Sequence, residues 1–189
     1  SNFVQFNHKG KIKMTESNKR KKTKAIIEKA MVELLQKESF DHITTVELAR
    51  AAGISRSSFY THYKDKYDMI ERYQQGLFHQ LEYIFEHNRE DVAVAITEVF
   101  QFLTQEPLLA ALLTENGTRE IQNFLRHKLQ SLLSQILQER FRNKAFNQIE
   151  KEYGIVYLVN AFFGVYQMWI ARGSKESPEQ MANLLLKML

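Results

Sequence analysis

Apolar residues recur at three- and four-residue steps through most of the chain, the pattern of helices that each bury one face. The first clear run is Ile26, Ile27, Ala30, Met31, Leu34 and Leu35, which predicts a helix from about Asn18 to Gln36. Before it, Ser1–Lys13 has neither helical nor strand period and reads as a disordered or cloning-derived tail, with Met14 a candidate native start. From Ile43 to Lys66 the pattern shortens to two small helices and the start of a third. The fourth helix, opened by Asp65, carries Met69, Ile70, Tyr73, Leu77, Leu81, Ile84 and Phe85 to about His87. At ~20 residues it would span roughly 30 Å. Starting beside the short helices and ending far along the chain, it would act as a lever between front and body.

The body continues in the same period. Val92–Gln105 has one apolar face, and Pro107 opens a short helix that stops at Asn116-Gly117, read as a left-handed cap. Thr118 caps the next helix, which carries Ile121, Leu125, Leu129, Leu132, Leu133, Ile136 and Leu137 to near Phe141, and Arg142–Asn147 is a polar connection. Ile149–Arg172 is hydrophobic nearly all round, so it should be buried on more than one face. Ser177-Pro178-Glu179-Gln180 then starts a terminal amphipathic helix, with serine as cap, proline first and glutamine closing the box. The expected fold is all-α, about nine helices: a three-helix head over residues 18–66 on a helical body over 67–189. A chain of this size hardly needs both faces of its penultimate helix, which predicts a homodimer through the last two helices.

The two short helices of the head are the most specific feature. Thr44 can cap the first, with Glu47 closing a capping box, and Val46, Leu48, Ala49 and Ala52 form its small apolar face. Gly53 suits a turn that needs positive φ, and Ser55 can cap the second helix, with Ile54, Phe59 and Tyr63 pointing inward. Arg56, Ser57, Tyr60, Thr61 and His62 point outward and all can hydrogen-bond. The arrangement is a helix-turn-helix whose second helix is built to enter a DNA major groove, rather than a hairpin that only packs.

Charge strengthens that reading. Residues 1–66 carry 14 Lys/Arg against 7 Asp/Glu, whereas residues 67–189 carry 12 against 15, so a net +4 hides a basic front on a mildly acidic body. The run Lys19-Arg20-Lys21-Lys22-Thr23-Lys24 suits phosphate contact, while Lys9–Lys13 reads as a solvated tail. Glycine and proline are sparse, which favours long helices. The absence of cysteine excludes disulfides and thiolate metal sites. No apolar run is read as long and unbroken enough to span a membrane, and nothing resembles a secretory signal; the expectation is a soluble, cytoplasmic protein.

The motif T-V-x-x-L-A-x-x-A-G-I-S followed by F-Y-x-H-Y-x-D-K, with Lys24–Phe40 before it, resembles the DNA-binding half of the TetR/AcrR family of bacterial transcriptional regulators. D-K-Y-D-M-I and W-I-A-R-G-x-x-x-S-P-E-Q-M-A further resemble the body of a subset of such regulators from Firmicutes. The resemblance implies phosphate contacts from Thr45, Tyr60, His62 and Lys66. It also implies a DNA interface that includes Ser55 and Thr61 beside Arg56 and Ser57, with a dimer formed through the C-terminal helices. Arg56 is the candidate for base readout, because a guanidinium can pair bidentately with a guanine edge; its alternative is another phosphate contact.

The partners expected are double-stranded DNA with a palindromic operator, a second copy of the chain, and a small-molecule effector in the body. Phe78, Tyr83, Phe100, Phe102, Tyr157, Phe162, Tyr166 and Trp169 could line an apolar pocket with Asn160 as an orienting group, although such stripes more often pack a core. His79, Glu82, Glu86 and His87 lie within two turns, but two ligands on one face do not make a metal site, and a solvated polar face is preferred. No cofactor is expected. No nucleophile elbow, phosphate-cradling loop or H-E-x-x-H pair is present, so no enzyme is expected. The function expected is a sequence-specific repressor released by an effector; the alternative is a TetR-fold co-activator or adaptor working through protein contacts.

Overall fold

The computed structural model describes the backbone of residues 2–141 and 146–188, and side chains for 17–131, 134 and 146–188. Among the described residues the chain forms nine α-helices and no strand. They are α1 (Asn2–Leu35), α2 (Thr45–Ala51), α3 (Arg56–Tyr60), α4 (Lys66–His87), α5 (Val92–Leu103), α6 (Pro107–Leu112), α7 (Arg119–Phe141), α8 (Gln148–Ala171) and α9 (Pro178–Met188). The chain divides into two compact units, Ser1–Ile70 and Glu71–Leu189, with the boundary inside α4.

The first unit closes around Ile27, Met31, Phe40, Ile43, Leu48, Phe59 and Met69, all nearly inaccessible. Its helix ends follow local chemistry. The Thr44 hydroxyl accepts from the Glu47 N–H while the Glu47 carboxylate accepts from the Thr44 N–H, a complete capping box. Gly53 takes φ +66°, and the Ile54 N–H bonds back to the Ala49 carbonyl, the six-to-one closure that a left-handed residue permits. The Ser55 hydroxyl accepts from the Ser58 N–H to start α3. Asp65 accepts from the Asp68 N–H to start α4.

Several expectations change in this unit. The helix drawn as α1 runs back to Asn2, through residues read as an unpatterned tail. A helix once nucleated adds one hydrogen bond per residue, and no proline or cap signal interrupts this stretch. Val46 is 42 % exposed: Leu48, Ala49 and Ala52 are the buried residues, and Val46, two positions before Leu48, lies on another side of α2.

In the second unit α5 packs along α9 and α7 along α8. Ser177 and Gln180 form the expected box at the start of α9. Asn147, read as part of a polar connection, instead caps α8 in a box with Glu150; residues 142–145 of that connection lie outside the described residues. So do the side chains of Leu132, Leu133, Ile136 and Leu137. Gly117 is not left-handed: among the glycines described, only Gly53 and Gly173 have positive φ. It is needed for close approach, since a Cβ there would fall 1.8 Å from the Leu112 carbonyl oxygen.

The penultimate helix departs from expectation once, in being long and apolar enough to cross a membrane. Only one face of α8 is buried in the single chain, through Ile155, Val159, Phe163, Tyr166 and Trp169. Ile149, Tyr153, Val156, Tyr157 and Met168 stay exposed. Gln148–Ala171 is long enough, and over 18 of its residues apolar enough (mean hydropathy 1.4), to cross a membrane, which was expected of no part of the chain. Its charges cluster in the first turn or so, leaving an uninterrupted apolar stretch behind them.

Candidate nucleic-acid interface

The outward side of the helix-turn-helix is assembled by the caps just described. Thr45 occupies the first position of α2 and is half-buried. Ser55 caps α3, and its hydroxyl lies 3.0 Å from that of Ser57. Arg56 is exposed on the first turn of α3, its guanidinium 5.6 Å from the centre of the Tyr60 ring and 3.5 Å from the Tyr60 hydroxyl. The flat cation is thus held along an aromatic face with its donor edge open to solvent, a geometry that limits its rotamers before any DNA arrives. Tyr60 itself is 46 % exposed.

Three expected contacts sit differently from the others. The Thr61 hydroxyl donates to the Ser58 carbonyl at 2.7 Å, so its only proton is engaged in the helix end. His62 follows α3 rather than lying within it, and is half-buried. Burial, then Lys24, then Arg20 hold its pKa below the ordinary histidine value. All three favour the neutral imidazole, which can offer a single N–H to a phosphate. The same electrostatics put Arg20 and Lys24 of α1 on the His62 side of the head, and Lys24 Nζ lies 6.0 Å from the Tyr63 ring centre. The basic run of α1 and the end of α3 form one cationic flank.

Lys66, expected on the phosphate backbone, turns inward. It is 6 % exposed, and its Nζ donates to the carbonyls of Phe40 (2.6 Å), Asp41 (3.0 Å) and Ile43 (2.7 Å). The Phe40 and Tyr67 rings lie 4.7 and 5.1 Å from it. One signal for this was present in the sequence. A cation in the first turn of a helix opposes the helix dipole and needs a compensating partner.

In the second unit, a cavity of about 30 Å³ lies among Leu81, Val99, Leu103, Leu109, Leu125, Phe162, Phe163 and Tyr166. Of the aromatic residues named from sequence, Phe162 and Tyr166 line it. Phe100 and Trp169 pack edge to face at 5.2 Å, Phe78 pairs with Phe124, and Tyr83 and Tyr157 are exposed. Asn160 is exposed and accepts from Arg126, so it orients nothing in the cavity. A polar cluster missed from sequence lies nearby. Tyr73 donates to the Glu106 carboxylate at 2.7 Å and accepts from the Leu109 N–H at 3.0 Å. Burial raises the Glu106 pKa, against the opposing Tyr73 hydrogen bond. The Tyr166 hydroxyl is buried without a hydrogen-bond partner, and burial, then Glu106, raise its pKa. His79 and Glu82 approach at 3.6 Å, both well exposed, as a solvated i,i+3 pair.

Comparison with known proteins gives the family and the fold. Residues 26–73 match the family described as bacterial regulatory proteins, tetR family, and residues 90–189 match the transcriptional regulator C-terminal region. The chain is 27% identical over 127 residues to the nucleoid occlusion factor SlmA of Marinomonas sp., covering 64% of each, so the match spans less than two thirds of that relative's length. Among solved structures it resembles the dihydroxyacetone kinase operon activator DhaS (21% identity, 88% of this chain and 95% of that one, TM-score 0.59). It also resembles the fatty acid degradation regulator FadR from Bacillus halodurans (16% identity, 88% and 93%, TM-score 0.67). Both likenesses are of fold. With the second of the two family matches alone covering more than half of its length, the chain belongs to the TetR family of transcriptional regulators, proteins that bind DNA through such a head.

Proposed function

We propose that the protein is a homodimeric, sequence-specific repressor that occupies a palindromic operator and is released when its body binds an effector. The observation that carries the reading is the exposed row Arg56, Ser57 and Tyr60 on a capped recognition helix, flanked by Arg20, Lys24 and His62. Arg56 reads a guanine edge in the major groove, while Thr45, Ser55, Ser57, Tyr60 and His62 fix the head on the backbone. Thr61 joins them once its hydroxyl leaves the Ser58 carbonyl. Residues 18–66 act as the DNA-binding domain and 67–189 as the regulatory and dimerisation domain, working on cytoplasmic DNA without catalysis.

The dimer forms across the open face of α8 with α9. Ile149, Tyr153, Val156, Tyr157 and Met168 on α8, and Leu184 and Met188 on α9, are large apolar side chains left exposed in one chain, the kind of surface a partner covers. An isologous contact there would relate two heads by a two-fold axis and set their recognition helices one helical turn apart, ~34–36 Å. The cavity holds little more than a water or two as it stands, so an effector of any size must open it. Converting a 99:1 population to 1:99 requires about 5.5 kcal/mol of differential affinity.

Mobility shift with DNA from around the protein's own gene tests the reading. A discrete shift at low salt, lost on adding unlabelled fragment, is expected. No shift by a folded dimer would overturn it and favour the co-activator or adaptor role.

A further inference from the structure

We propose that Lys66 is a positioning residue, a clasp that ties the first turn of α4 to the segment launching α2, and that it contacts no phosphate through its side chain. An ammonium has three N–H donors, and all three are taken up by one short stretch of backbone, the carbonyls of Phe40, Asp41 and Ile43. Nothing remains to offer a phosphate oxygen unless the cage breaks, which would leave three carbonyls and a buried charge to be satisfied together. The Phe40 and Tyr67 rings flank the ammonium and touch each other edge to face at 5.5 Å, and Lys66 is left 6 % exposed.

The clasped segment matters for DNA. Phe40 and Ile43 are core residues of the first unit, and Ile43 directly precedes the Thr44 cap of α2. A displacement of the first turn of α4 would therefore be passed by Lys66 to the start of α2. The Gly53 turn and the buried Phe59 would carry it on to α3. Lys66 acts on recognition through the placement of Arg56 and Tyr60, not by touching DNA.

Two measurements decide this. In free wild-type protein labelled with nitrogen-15, the Lys66 Nζ protons are expected to exchange slowly enough to be seen at neutral pH, and their resonance to stay in place on adding operator DNA. A fast-exchanging Nζ in free protein, or one that shifts on DNA binding, overturns the clasp. This arm has a free-protein reading, so it stands even if no operator is found. The second compares Lys66→Met and Lys66→Arg. Both are expected to weaken all DNA sequences alike and lower Tm by at least about 4 °C, with the slope of log K against log salt unchanged. A phosphate contact would instead flatten that slope by ~0.9 in the Met variant, leave Tm alone, and be preserved by Arg. That outcome, or no effect at all, overturns the proposal. Should Lys66→Met fail to fold, the resonance of the wild-type protein decides alone.

Discussion

Arg56 and Lys66 are both cations near the recognition helix, yet their surroundings give them opposite work. Arg56 lies along the Tyr60 ring with its fork in solvent, whereas Lys66 spends every donor on backbone. Arg56→Ala is expected to cost ~1–3 kcal/mol at one base pair and to relax discrimination there, read by anisotropy titrations on operator variants. Equal weakening on every variant would make Arg56 a phosphate clamp. Glu106 gives a second prediction at this scale. Its pKa is raised by burial, and a group raised in the folded state lends stability that is full below its unfolded pKa and lost as pH rises through the folded value. Glu106→Gln keeps an acceptor for Tyr73 but cannot ionise. As pH rises from about 4.3, the ordinary glutamate value, the difference in Tm should move in the variant's favour. A difference that does not change with pH contradicts this.

Helix ends explain most of what could be read in advance. Thr44 with Glu47, Ser55, Asp65, and Ser177 with Gln180 all act within three residues of themselves, so their roles were legible in sequence. The Lys66 cage joins positions 23 to 26 residues apart, the Tyr73 bond to Glu106 spans 33, and neither leaves a local pattern. Gly117 reads in sequence as a left-handed cap and is not one, because a glycine demanded by a neighbouring carbonyl looks the same in sequence as one demanded by its own φ. Thr44→Ala should cost about 1 kcal/mol through loss of the cap, measured by chemical denaturation. Gly117→Ala should cost more, since backbone rather than a flexible side-chain end must move. If thermal melts place Gly117→Ala level with wild type, the close approach is wrong.

For the whole molecule, the unexplained surface is the outer face of α8. In sequence the helix looked apolar all round; in one chain only half of that is used. A second copy is the simplest cover, and it would supply the paired heads that a palindrome needs. Tyr153→Asp with Tyr157→Lys should give monomers by light scattering and lose operator binding while the head's own helices persist. Dimers of undiminished strength would place the interface elsewhere. In the proposed function two copies read one operator together. The most direct measurement is an anisotropy titration of wild-type protein on the full operator, a single half-site and a scrambled duplex of equal length, at two salt concentrations. The prediction is two protomers on the full site, binding much tighter than to either control, with affinity falling as salt rises. Equal affinity for all three duplexes would contradict it.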